Sequence, residues 1–274
     1  MRILLLASAY NSLTQRVHVE LAGRGHEVAV ELALGDEAMR EAVRRHGPDL
    51  VIAPMLTAAI PADIWSARPC FIVHPGPRGD RGPSSLDWAI MDGAAHWGVT
   101  VLQANAEMDA GDIWASEAFP VPPACSKSSL YRTEVADAAL AAVLAAVSRF
   151  ASGSYRPEPL DYGRPGVTGG CRPPCRQADR RIDWSAEPTS SVVAKLRAAD
   201  SSPGVLDVIA GAEYFLVGGY EDDHLRGQPG AIIARRGGAI CRATTVEVGS
   251  ASQSILRSAC RHGGRHRPVT PGRP

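Results

Sequence analysis

The sequence predicts an α/β chain, with a Rossmann-like parallel sheet first and a small β-barrel-like, OB-like domain after it. Three observations carry this. Short apolar runs alternate with helically spaced segments through the first half; a Gly-, Pro- and Arg-rich stretch without periodicity follows; and the remainder reads as one helix and then short strand-like segments between turn residues. At 274 residues, 45% of them hydrophobic, the chain is long enough for one large domain and a smaller one.

Residues 2–7 form an unbroken apolar run, the first strand, and 11–14 break it. Residues 16–22 have helical spacing, ended by Gly23-Arg24-Gly25-His26. A strand at 28–32, a helix at 37–45, and short buried strands at 49–53 and 70–73 continue the alternation that parallel sheets require. An alanine-rich amphipathic helix over 129–150 closes a domain of residues 1–152. Residues 153–180 read as a linker. The second domain, 181–246, starts with a helix at 189–199, stopped by Ser202-Pro203-Gly204, and continues with strands at 205–209, 213–217, 231–234 and 239–248. Residues 247–274 have no acidic residue after Glu247, while Arg257, Arg261, Arg265, Arg267 and Arg273 alternate with Gly, Pro, Ser and His. They are expected to be a basic, disordered tail, of the kind that an out-of-frame stretch of a GC-rich gene also produces.

With 29 basic and 29 acidic residues, no overall charge draws this chain to nucleic acid or to an anionic membrane, so neither is expected as a partner. The six cysteines are scattered and read as reduced. Cys171 and Cys175 lack the further ligands of a four-coordinate zinc site, and no metal is expected. The opening resembles a secretory signal, but its apolar core is short and runs on into a strand–helix unit, so a cytoplasmic protein is expected. No stretch is expected to span a membrane.

The turn after the first strand reads Ser8-Ala9-Tyr10-Asn11-Ser12-Leu13-Thr14. Without glycine it lacks the dinucleotide fingerprint, which argues against a nicotinamide or flavin cofactor. Two readings fit its polar side chains. Ser12 or Thr14 caps the helix, or the helix amino terminus holds a phosphate, with Asn11, Ser12, Thr14, Gln15 and Arg16 around it.

Chemistry concentrates between residues 71 and 114. His74 stands directly after a buried strand, at the carboxyl end where open α/β sheets place ligands, and a Pro/Gly-rich loop follows it. Asp109 lies in Met108-Asp109-Ala110-Gly111-Asp112-Ile113, a tight turn between two strand-like runs, and a carboxylate there is able to hold an imidazolium. His96 and Trp97, just before a strand, read as packing residues. Trp88 and Trp184 read as anchors.

The His-Pro-Gly loop, Gly98-Val99-Thr100 and the Asp-Ala-Gly-Asp-Ile turn resemble the formyltetrahydrofolate-dependent formyltransferases. Ile182-Asp183-Trp184, Leu196-Arg197-Ala198 and Pro203-Gly204 resemble the carboxy-terminal barrel of methionyl-tRNA formyltransferase. The resemblance implies formyl-tetrahydrofolate as donor, His74 and Asp109 as the catalytic pair, and folate contacts along Pro54, Met55, Leu56 and Thr57 and along Gln103, Asn105, Ala106, Glu107 and Met108. The family's Asn-x-His places an oxyanion donor where this chain has Ile72. Ser84, Ser85, Gln103 and Asn105 are candidates to replace it.

The run from His74 to Ile90, with Asn11 to Arg16 and Ser128-Ser129-Leu130-Tyr131-Arg132, is similar to hydrogenase-maturation proteins of the HypX type. That resemblance implies formyl transfer to coenzyme A, with the phosphates met by Asn11 to Arg16. A crotonase-like second half, unmatched here, then releases carbon monoxide for a nickel-iron hydrogenase, and other maturation proteins are expected partners. The alternatives are a methionyl-tRNA formyltransferase and a catalytically silent folate-binding fragment.

Overall fold

β1 (Arg2–Ala7) is buried from Ile3 onward, as an apolar run must be when helices cover both faces of a sheet. It lies between β2 (Glu27–Leu32) and β3 (Leu50–Met55), parallel to both, and β4 (Cys70–His74) adds on parallel to β3. β5 (His96–Gln103) and β6 (Ile113–Pro120) complete the order β2-β1-β3-β4-β5-β6, with β5 antiparallel to both β4 and β6. The expected parallel sheet is therefore parallel over four strands only. The loop from Gln103 to Ile113 joins β5 to β6, and it is shorter than the crossover that a parallel pair needs.

This computed structural model describes residues 1–201, 203–222, 225–236, 238–245 and 255–262, which fall into two compact units. The first comprises Met1–Ala89 and Gly93–Pro174. Its helices are α1 (Ser12–Gly23), α2 (Asp36–His46), α3 (Ala62–Trp65), α4 (Ser85–Met91, whose last residues cluster with the second unit), α5 (Lys127–Leu130) and α6 (Ala136–Ser152). A π-helical turn, Tyr131–Val135, joins the last two. By length and apolar composition Lys127–Ser152 would suffice to cross a membrane, which corrects the expectation that no stretch approaches that length. Within the unit it is a core helix. Ala139, Ala142, Val143 and Ala146 form a fully buried stripe at helical spacing, and α6 packs on β5, β6 and α1.

The second unit, from Cys175 onward with Ile90–Asp92, holds α7 (Gln177–Arg180), α8 (Thr189–Ala198), β7 (Val205–Ile209), β8 (Ala212–Asp222), β9 (Ile232–Arg236), β10 (Ala239–Ala243) and β11 (Ile255–His262). Every neighbouring pair in its sheet, β7-β8-β11-β10-β9, is antiparallel. Trp184, Val192, Leu196, Val205, Leu216 and Ile240 form its core. Arg242 closes one side, stacked 4.3 Å above Trp184 and paired at 2.7 Å with Asp207, which also accepts from Trp184 Nε1. The disordered tail needs correction at 255–262. That segment is a strand bonded along both edges, to β8 and to β10, and without it the sheet would fall into two pieces. The rest of 247–274 lies outside the described residues.

The stretch read as a linker, 153–180, divides at Pro174, and its first part is built into the first unit. Glu158 and Ile113 exchange backbone hydrogen bonds of 2.7 and 2.9 Å, extending the β6 edge. Thr168 N donates to Arg78 O, Arg81 N to Gly170 O, and Arg172 N to Arg81 O. Lack of periodicity here marks a chain bonded residue by residue to a loop, not a free connection.

Candidate active site

Side chains alternate across β4, so Cys70, Ile72 and His74 share one face. Cys70 is fully buried, and burial pushes its thiol up to about 12, leaving it an inert packing group. Half-buried Ile72 packs on the same apolar cluster, together with Leu56 from the end of β3 and Ala104 from the end of β5. His74 ends the row, 3% exposed.

Two carboxylates reach the imidazole from opposite sides. Asp80 Oδ2 lies 2.8 Å from Nε2, and Asp109 Oδ2 lies 3.4 Å from Nδ1. Only the contact with Asp80 falls within hydrogen-bond distance.

The loop after β4 is held from several sides. Pro75 O accepts from Ser85 Oγ at 2.7 Å and from Trp97 Nε1 at 2.9 Å, and Gly76 O accepts from Thr100 Oγ1 at 2.9 Å. Gly76 is the close approach that lets the pair form. A Cβ at this position would come within 2.3 Å of Asp80 Oδ2 and 2.5 Å of His74 Nε2. Segment 158–172 then lies along the outer edge of the loop, where Glu158 binds Arg78 at 2.8 Å and Tyr162 donates to Gly79 O at 3.0 Å. On the other side, Asp109 takes a left-handed φ of 52°, uncommon for a residue with a side chain. Gly82 N donates to its Oδ2 at 3.1 Å, and Arg81 Nε donates to Met108 O at 2.9 Å.

The structure brings together the predicted His74 and Asp109 and adds Asp80. Sequence reasoning passed over Asp80, although a lone acid inside a Gly/Pro loop directly behind a candidate histidine was a usable signal. Of the folate candidates, Pro54 and Met55 end β3, Leu56 lines the apolar face, and Thr57 exchanges hydrogen bonds with Ser8 Oγ. Asn105, Ala106, Glu107 and Met108 are exposed in the turn. Gln103 pairs with Phe71 in register, so it shares the face opposite His74, where its Oε1 accepts from Trp114 Nε1. It therefore cannot supply the oxyanion donor. Ser85 gives its hydroxyl to Pro75 O, and Ser84 also has a partner, so both serve the loop first. Asn105 uses its Oδ1 on Glu107 N, which leaves the amide nitrogen as a donor.

Most of the polar side chains after β1 have partners within the fold. Asn11, not Ser12 or Thr14, caps α1, accepting from Thr14 N at 3.0 Å. Thr14 is fully buried, Gln15 donates to Tyr10 O, and Arg16 pairs with Asp137 at 2.7 Å. Asn11 also donates to Tyr131 OH at 3.1 Å, and burial pushes that phenol up against the opposing effect of the bond. Among the described residues no group of three or more His, Cys, Asp or Glu is placed to hold a metal ion.

Residues 27–147, which contain His74, Asp80 and Asp109, match the formyl transferase family, and residues 174–251 match the formyl transferase C-terminal domain. Over 244 residues the chain is 51% identical to the hydrogenase maturation factor HoxX of Bradyrhizobium diazoefficiens, covering 89% of this chain and 43% of that protein. The crystal structure of HypX from Aquifex aeolicus in complex with tetrahydrofolic acid superposes with a TM-score of 0.85 at 39% identity, over 96% of this chain and 44% of that one. Methionyl-tRNA formyltransferase of Roseiflexus castenholzii is 33% identical over 155 residues, 56% of this chain and 48% of that protein. The chain thus spans less than half the length of each of these relatives. With both domains present in that order, the chain belongs to the formyl transferase family.

Proposed function

We propose that this chain removes formyl from formyl-tetrahydrofolate and passes it to the thiol of coenzyme A, as the first step in making the carbon monoxide ligand of a nickel-iron hydrogenase. The observation that carries the reading is the buried His74, flanked by carboxylates beside a half-buried apolar wall of Ile72, Leu56 and Ala104, in a chain 51% identical to HoxX. That wall suits one face of a pterin, and the exposed turn Asn105–Met108 would border it.

In the reaction the thiol sulfur attacks the formyl carbon, the carbon–nitrogen bond to the folate breaks, and the thiol proton ends on the folate nitrogen. His74 takes the proton from sulfur and returns it to nitrogen. Ile72 offers no hydrogen bond to the tetrahedral oxyanion, so the donor assigned is the Asn105 amide. The acceptor phosphates are assigned to the amino end of α1, where the N–H groups of Ser12 and Leu13 have no intrahelical partner. The remaining steps to carbon monoxide, like contacts with other maturation proteins in the cytoplasm, belong to chemistry outside these two domains.

The test is incubation of the purified chain with formyl-tetrahydrofolate and coenzyme A, following tetrahydrofolate by absorbance and the formyl thioester by mass spectrometry. Thioester formation is expected, with a loss of about 10²–10⁴ in rate for His74→Ala. Wild-type turnover by that variant would sink the mechanism. Folate binding with no formyl release at all would favour a silent binding module.

A further inference from the structure

We infer that Asp80 is the positioning residue that orients His74, and that chemistry takes place on the opposite, Nδ1 side of the ring, where Asp109 faces substrate. This rests on formyl transfer at His74 and reverses the expected division of labour, in which Asp109 orients the ring.

Three observations separate the two carboxylates. The 2.8 Å contact from Nε2 to Asp80 lies within the range of an N–H···O hydrogen bond, whereas the 3.4 Å contact from Nδ1 to Asp109 lies outside it. The Asp80 side chain is 1% exposed and that of Asp109 11%, so the Asp109 side is the more open. Asp80 is also boxed in by backbone. Gly169 of the 158–172 segment approaches so closely that a Cβ there would meet Asp80 Cα at 3.2 Å, and Gly76 closes the other side. Asp109, by contrast, follows the exposed run Asn105–Met108, and its Oδ2 already accepts from Gly82 N.

A neutral imidazole donates from one nitrogen only. With the proton on Nε2 held by Asp80, the lone pair of Nδ1 is directed to the open side and is the base. It receives the proton of the attacking thiol while the sulfur–carbon bond forms. It then delivers that proton to the folate nitrogen as the carbon–nitrogen bond breaks, while Asp109 stabilises the transient cation. The Nε2 proton stays in place and Asp80 remains ionised throughout, so atoms and charge balance with no further reactant.

The decisive measurement is the tautomer of His74 in the wild-type chain, read from long-range proton–nitrogen-15 correlations at a pH where the ring is neutral and assigned with His74→Gln. A proton on Nε2 is expected; a proton on Nδ1 overturns the proposal whether or not any variant folds. In Asp80→Asn the amide can donate to Nε2 and drive the proton to Nδ1. By the logic of the Ser-His-Asp triad, where this exchange yields the wrong tautomer, kcat should then fall about 10³–10⁴-fold. KM for formyl-tetrahydrofolate should change less than about threefold, since Asp80 touches no substrate. Asp109→Asn should lower kcat with the tautomer unchanged. Full kcat in Asp80→Asn, or a loss of kcat with the proton still on Nε2, would reduce Asp80 to a structural role. Full turnover by His74→Ala is a different result, because it removes the formyl-transfer reading itself.

Discussion

Two loops leave the carboxyl edge of the same sheet, one after β1 and one after β4, and both are rich in polar side chains. After β1 three polar side chains are spent locally. Asn11 caps α1, Gln15 holds the Tyr10 carbonyl, and Arg16 is neutralised by Asp137. After β4 the polar groups converge on one another in a dry place, where His74 and Asp80 are both nearly inaccessible and a second carboxylate stands opposite. Burying ionisable groups is costly unless they are paired, so a buried acid–imidazole–acid row persists only where surrounding structure enforces it. The enforcement is visible as Gly76, the carbonyl bonds to Pro75 and Gly76, and the 158–172 segment. Polar density alone therefore says little about function. What distinguishes the second loop is that its side chains bond one another across sequence gaps.

The largest effect expected from this contrast comes from a methyl group. Gly76→Ala would place a Cβ within 2.3 Å of Asp80 Oδ2 and 2.5 Å of His74 Nε2, prising the pair apart without removing any polar atom. Displacement of that order at a reacting group costs about 10²-fold in rate, and overpacking a tight site costs about 1–3 kcal/mol of stability. Thermal melts together with formyl-transfer rates would check both. Unchanged kcat in Gly76→Ala would mean that the close approach is incidental. A smaller effect is expected from Tyr162→Phe, which removes a hydrogen bond to Gly79 O and with it about 1 kcal/mol of loop anchoring. Faster hydrogen exchange confined to the 76–82 loop would report it.

The same contrast explains what could be read in advance. The first four strands and the helices α1, α2, α6 and α8 follow from hydrophobic period and glycine punctuation, and β7, at Val205–Ile209, falls where the pattern placed it. His74 was legible because it ends a buried strand, and Asp109 because it sits in a tight turn. Asp80 was harder because its role depends on the loop folding back through Gly76, a tertiary event with no periodic signature. The 158–172 segment escaped for a related reason: its bonds are backbone to backbone, which composition does not encode. Ile255–His262 was misjudged because arginine and glycine around it masked a short apolar core, and strand pairing with two neighbours outweighed composition.

The first loop supplies the smallest expected effects, and these decide whether the comparison is sound. Asn11→Ala deletes the cap of α1 and should cost about 1 kcal/mol of stability, the usual value for an N-cap amide or hydroxyl. Arg16→Ala breaks an ion pair whose side chains are 41% and 70% exposed, and solvent screening limits its cost to below about 0.5 kcal/mol. At saturating coenzyme A neither change should move kcat by more than about twofold, because neither side chain is placed to touch the reacting atoms. Chemical denaturation of the two variants beside their formyl-transfer rates makes the comparison quantitative. If either variant kept its stability and lost turnover, the loop after β1 would belong to the reacting centre, and the distinction between locally spent and convergent polar groups would fail for this sheet.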